Sequence, residues 1–137
     1  MAGSKSNYLE NRILDAVLGG PTFALPATVY IALSTAAFSE SATGSAMTEV
    51  SGGAYDRVAL TNNATNWPSA ASGTKANGTT ITFPTATAGW GTVISFYVVD
   101  AASGGNCLYG GDLAAPRTIA SGDTASFAIG ALTITED

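Results

Sequence analysis

The sequence has no histidine, one cysteine and five basic residues in a chain of 137. Without histidine the Ser-His-Asp and Cys-His pairings of nucleophile and base cannot be assembled. The one cysteine, Cys107, cannot close an intrachain disulfide. It sits in an apolar run with no histidine to activate it, so it reads as a small buried hydrophobe. The cations, Lys5, Arg12, Arg57, Lys75 and Arg117, are scattered. They form no stripe that could neutralise phosphates, and nucleic acid is not an expected partner. A net charge of -5 makes an anionic membrane surface equally unattractive. No apolar run approaches the ~18 residues of a membrane-spanning helix. The N-terminus shows no apolar core of a secretory signal, so synthesis in a reducing cytoplasm is expected.

Charge of either sign is scarce. Charged residues make up 11% of the chain and apolar ones 46%, against about 25% charged in ordinary soluble domains. A free monomer usually relies on a charged surface for solubility, so a sparsely charged one is expected to have partners over part of it. The length fits one domain, able to bury a core without disulfide staples.

One segment has helical spacing. In "NYLENRILDAVLGGP" the side chains of Leu9, Ile13 and Val17 recur every four residues, with Leu14 beside them. Asn7 and Glu10 have the spacing of a capping box, and Gly19-Gly20-Pro21 supplies a stop. A helix this short must lean on something, either this domain or a neighbour.

The rest reads as strands. "PATVYIALST" alternates Val29, Ile31 and Leu33 against Thr28, Tyr30 and Ala32. "GAYDRVALT" places Val58 and Leu60 on one face, with Tyr55 and Arg57 on the other. "GTTITFP" alternates Ile81 and Phe83, follows the turn dipeptide Asn77-Gly78, and stops at Pro84. "GWGTVISFYVVDAASGGN" is apolar on both faces. Ile94, Phe96 and Val98 are expected to point inward, and Val93, Ser95, Tyr97 and Val99 outward under some cover. Asp100 and "SGGN" turn that strand back into "CLYGG". Phe127 and Ile129 differ in phase from Leu132 and Ile134, which places a bend at Gly130. Seven or eight strands without intervening helices predict a mainly β, antiparallel β-sandwich with one short N-terminal α-helix. The expected core includes Ile31, Leu33, Phe83, Trp90, Ile94, Phe96, Val98 and Phe127. Two polar stretches, 35 to 53 and 61 to 78, are long enough to be functional or ordered by a partner.

Candidate chemistry is sparse. Asp56, Asp100, Asp112 and Asp123 are the carboxylates a hydrolase would draw on. The last three follow or sit in Gly/Ser-rich turns, where Asx hydrogen bonding is the simpler role. Their spacing matches no calcium loop. The Gly-rich pieces lack the strand-loop-helix setting and the Gly-Lys-Ser/Thr of a phosphate loop. No cofactor or metal is expected. Trp90, between two glycines at a strand start, fits core packing. Trp67, in "TNNATNWPSA", fits an anchor for its loop, an anchor into a partner, or a sugar platform.

Several stretches taken in order resemble a widespread family of small tailed-bacteriophage virion proteins. They are "NYLENRILDAVLGG", "PATVYIALSTA", "EVSGGAYDRVAL", "ITFPTATAGWGTV", "VVDAASGGN" and "SGDTASFAIGALTIT". The resemblance runs nearly end to end, broken in the two long loops, and rests on the order and spacing of all the stretches. The chain departs from the family pattern at Tyr55-Asp56-Arg57, where Tyr-Ala-Arg is commoner, and at Cys107-Leu108-Tyr109. Members are often labelled tail-fibre proteins, and some small jelly-roll proteins of this size coat the capsid as cement or decoration proteins.

The resemblance implies a non-enzymatic virion structural protein, made in the host bacterial cytoplasm, with a jelly-roll-like sandwich over 21 to 137 and a helical arm over 1 to 20. The expected role is a capsid cement (decoration) protein on the capsid surface. It would bind the outer face of the major capsid protein lattice and stabilise the head, as a homo-oligomer, dimer or trimer. The alternative is a tail-fibre or appendage module involved in host receptor binding. Leu9, Ile13, Val17 and Trp67 are the candidate partner contacts.

Overall fold

The fold is built around one long hairpin, strands β6 (Gly91–Val99) and β7 (Cys107–Ile119) of a computed structural model that describes residues 3–136. Asp100 sets the turn. Its Oδ1 accepts from the Asn106 N–H at 2.7 Å and its Oδ2 from the Asn106 side-chain amide at 3.0 Å. Before the hairpin come β1 (Ser4–Lys5), helix α1 (Asn7–Val17), β2 (Thr28–Ser34), β3 (Val58–Thr61), β4 (Thr74–Ala76) and β5 (Ile81–Thr82). After it come β8 (Ser126–Phe127) and β9 (Thr133–Thr135). One sheet has the order β1-β7-β6-β2-β3, and every pair in it is antiparallel. Two short antiparallel ladders, β4–β9 and β5–β8, oppose it. The protein is therefore mainly β with one short helix, an arrangement compatible with a jelly roll.

The main core fills the space between these layers. Val29, Ile31 and Leu33 of β2 project into it with Phe96 and Val98 of β6, against Ile81, Phe83, Leu132 and Ile134. Trp90 is buried here, its Nε1 donating to Gly53 O at 2.9 Å, and Phe127 packs half-buried at the edge. Ile94 departs from the expected core. Val93 pairs with Arg117 and Ser95 with Asp112, so one β6 residue faces four on β7. This bulge reverses the alternation. Val93 drops into the core at 2% exposure, and Ile94 is half-buried outside it.

The second apolar face of β6 has its cover. The stretch 35 to 53 folds over it. Phe38 and Met47 pack on Ala32, Tyr97, Val99 and Cys107. The Phe38 and Tyr97 rings lie 5.2 Å apart. Ser95 Oγ donates to Ala36 O at 2.6 Å, and Asp112 Oδ1 accepts from Phe38 N at 2.7 Å. Gly110 permits the closeness, since a Cβ there would stand 2.4 Å from the Phe38 ring.

The segment from Gly3 onward is built into the sandwich. Gly3 exchanges backbone hydrogen bonds with Thr133 and Thr135, while β1 pairs with Tyr109 and Gly110. Ser6, not Asn7, caps α1. Its Oγ accepts from Leu9 N at 3.2 Å and donates to Cys107 O. Asn7 is the first helical residue. After the helix, Gly19 and Gly20 take φ of 102° and 78°, conformations that glycine reaches without steric cost.

Two sequence signals hid further structure. The run from Gly53 to Arg57 is irregular, and the strand begins at Val58. The stretch 61 to 78 contains strand β4. At its end Asn77, read as a turn residue, is buried and fully bonded. Its Nδ2 donates to Thr79 O and Ala128 O, each at 2.9 Å, and its Oδ1 accepts from Leu132 N at 2.9 Å. It thereby fixes the bend between β8 and β9, where Gly130 takes a φ of 79°. Asn77→Ala removes three hydrogen bonds and leaves the buried Leu132 N–H without its acceptor, and is expected to cost about 3 kcal/mol. Urea unfolding should show a lower midpoint at unchanged slope, and a midpoint equal to wild type would refute the role.

Candidate docking surface

The exposed large hydrophobic side chains are concentrated. Ile13, Leu14, Val17, Leu18 and Leu25 are 37%, 58%, 72%, 75% and 75% exposed, and Ile129 alone stands elsewhere among the described residues. Ile13–Val17 and Leu14–Leu18 are i, i+4 rows on one helix, and the segment 13 to 26 carries a single charge, Asp15. Contiguous apolar surface of this kind marks an interaction site more often than scattered single residues do.

The structure divides the four expected contact residues. Leu9 lies on the same helix face as Ile13, but the first turn of α1 sits against the sandwich and Leu9 is 4% exposed in the main core. Trp67 is also buried, at 9%. Its loop is a tight turn in which Asn63 O accepts from Trp67 N and Asn63 Oδ1 from Thr65 N and Asn66 N. Trp67 therefore anchors its own loop and offers no open platform to a sugar or a partner. Ile13 and Val17 remain at the surface. Leu14 and Leu18 lie beside them on α1 and its cap, and the run "ILDAVL" carried the signal for both, while Leu25 is exposed on the segment that follows.

The loop carboxylates are held by backbone. Asp123 Oδ2 accepts from Ala120 N at 2.9 Å and Asp56 Oδ1 from Arg57 N at 3.1 Å, while Asp100 and Asp112 hold the groups described above. Asp112 binds across the sheet rather than within a turn. Among the described residues no three of His, Cys, Asp or Glu are grouped to hold a metal ion, and no helix is long and apolar enough to cross a membrane.

Sequence reasoning missed the role of Arg57, placed only on the strand face opposite Val58 and Leu60 and found 8% exposed. Its Nε and Nη2 bind the two oxygens of Glu49, each at 2.8 Å. Nη1 donates to Ala101 O at 2.8 Å and Gly104 O at 3.0 Å, and Nη2 also donates to Gly44 O at 2.9 Å. Hydrogen bonding to Glu49 keeps the guanidinium charged, against its burial. Tyr55 joins the cluster, donating to Glu49 at 2.7 Å and accepting from Leu33 N at 3.0 Å.

A family model described as Podophage GP4 fiber I protein gp80 matches residues 4–135. No curated protein matches the sequence.

Arg57→Ala leaves three carbonyls without their donor and the Glu49 carboxylate without its counter-charge, and is expected to cost about 3 kcal/mol or more. Arg57→Lys, a point charge without the planar fork, should recover less than half. Chemical unfolding of both variants checks this, and an alanine variant within 1 kcal/mol of wild type, a conservative reading of ~1 kcal/mol per single hydrogen bond, would refute it. A second expectation concerns alkali. Burial pushes the Cys107 thiol from 9.0 to about 11, and burial with the neighbouring Glu136 carboxylate pushes the Tyr109 phenol from 10.0 to about 12. Tyr55 and Tyr97 are raised in the same direction, mainly by burial. The folded state keeps protons that the unfolded chain releases at the ordinary values. This contribution is intact below about pH 9 and is lost as pH rises toward 12. The thermal midpoint should fall across that window, and a flat profile there would contradict the burial of these groups.

Proposed function

This chain belongs to the podophage GP4 fiber I protein (gp80) family, and from that membership we propose that it is a non-enzymatic fibre module, anchored to the virion through the apolar face of α1. Its standing as a phage virion structural protein follows from the family. The exposed face of Ile13, Leu14, Val17 and Leu18 carries the docking part of the reading. Among the described residues the exposed large aliphatic side chains are concentrated on α1 and its cap, so α1 is the element with the most apolar surface left to bury. Burying it stabilises an attached copy by roughly 25 cal/mol for each Å2 removed from water. A fibre module of this kind works as a homo-oligomer, dimer or trimer, and its outward end takes part in receptor binding.

A second reading has one observation in its favour. With 11% charged residues, the surface suits close packing in a continuous shell, as in a capsid cement protein on the outer face of the major capsid protein lattice. Such a protein binds only the assembled shell and stabilises the head by mass action. Copy number in purified virions separates the two. A fibre is present at a small fraction of the major capsid protein, and cement at a comparable number.

The docking face is tested by the double variant Val17→Asp, Leu18→Asp. Both sites are exposed, so isolated-protein stability should change by no more than about 0.5 kcal/mol each, while incorporation into virions is lost. Normal incorporation would overturn the assignment of α1.

A further inference from the structure

A second feature, independent of the helix face, lies behind the segment that follows it. A cavity of about 400 Å3 opens between the sheet and the β4–β9 ladder. Its floor is Val29, Val98, Leu108 and Ile134, and Trp67 and Phe23 line it from the loops. That volume is within the range of small-molecule sites, which are mostly apolar with a few fixed polar groups.

The cover is lightly held. Residues 21 to 26 form no helix or strand, and Pro21 and Pro26 have no N–H to donate. Among the described residues the backbone of this strap takes part in one hydrogen bond, from Asn62 Nδ2 to Pro26 O at 3.0 Å. Phe23 lies under the Arg12 guanidinium, 5.3 Å from ring centroid to carbon. Gly19 and Gly20 sit at the hinge with positive φ. Lifting the strap breaks few contacts.

The cations give the cavity a polarity. Arg57 is consumed by Glu49, Lys5 pairs with Glu136, Arg12 lies on Phe23, and Arg117 lines a separate cleft beside β8. Lys75 and Glu136 both line this cavity; the Glu136 carboxylate is taken up by Lys5, whereas the Lys75 ammonium has no hydrogen-bond or ion-pair partner among the described residues. In a chain of net charge -5, an unpaired ammonium beside an apolar cavity selects for an anionic head on an apolar body.

We propose that this cavity binds a small amphipathic anion, a medium-chain fatty carboxylate, with its tail on Val29, Val98 and Leu108 and its carboxylate at Lys75. Binding orders the strap, and so couples occupancy to the position of Leu25 next to the docking face.

Calorimetric titration of the full chain with decanoate and with decanol, matched in tail length, tests the site. Decanoate should bind wild type more tightly than decanol does. Lys75→Met should weaken decanoate by roughly five- to ten-fold, the loss of about one ion pair, and leave decanol unchanged. Ala70→Trp, at an exposed position on the cavity wall, should abolish binding of both. Lys75→Glu gives a second reading if Ala70→Trp unfolds, and should reverse the preference toward decanol. Equal affinity of wild type for the two ligands, indifference to Lys75, or no binding of either would overturn the proposal. The last result would leave the cavity to an apolar side chain of a neighbouring virion subunit.

Discussion

Arg57 donates five hydrogen bonds, and they tie together three pieces of chain that lie far apart in sequence. Glu49 and Gly44 belong to the long segment after β2, and Ala101 and Gly104 to the turn of the β6–β7 hairpin. The central strands are apolar on both sides, so the hairpin is stable only when each side is covered. The sandwich core supplies one cover. The other is a segment without regular structure whose apolar contribution is small, Phe38 and Met47 above all. A buried cation is costly unless each of its protons is matched, and here each is. The result is a lock specific in geometry, holding a loop that composition alone would leave loose. Asp100 belongs to the same arrangement, because it shapes the turn whose carbonyls Arg57 reads.

The sequence made the alternation legible where strands were long. Val29, Ile31 and Leu33 face the main core as their period requires, and Phe96 and Val98 do so on β6. The period failed at Ile94, because a bulge depends on the partner strand, here the extra residues Leu113 to Pro116 of β7. The strands β1, β4, β5, β8 and β9 are two or three residues long, too short for a period to register. Apolarity on the second face of β6 correctly demanded a cover, but its identity depended on Arg57, a single charge in a segment that reads as strand. Two of the three stripe residues, Ile13 and Val17, were legible as surface. Leu9 and Ile13 are four residues apart, yet Ser6 and its bond to the β7 end tilt the first turn into the core and leave the later turns outside.

The edges of the large sheet narrow the ways this protein can assemble. Among the described residues the outer edge of β7 has no strand partner beyond Gly110, which would invite pairing with another chain. The bulge and Pro116 interrupt it there, the devices by which edges are blunted. At the other edge β3 has four residues. Strand addition is thus disfavoured on both sides, and association falls to side-chain surfaces. The low charge does not itself create such a surface; the concentration of exposed aliphatic groups on α1 does.

That face is small. A standard interface uses ~20–30 residues a side, and here four large apolar side chains are on offer. On the proposed reading they form the centre of a contact whose rim adds specificity but little energy. One copy alone would bind weakly, and a net charge of -5 on each opposes chance pairing in dilute solution. Attachment becomes firm when several copies are held together, because each later contact then forms at high effective concentration. A modest apolar face suits a protein that must stay separate while it is made and become fixed once its neighbours are in place. It also accounts for a helix that is half committed to its own core: Leu9 and Ser6 fix its position, so the outer face is presented already ordered and binding need not offset the entropy of folding an arm.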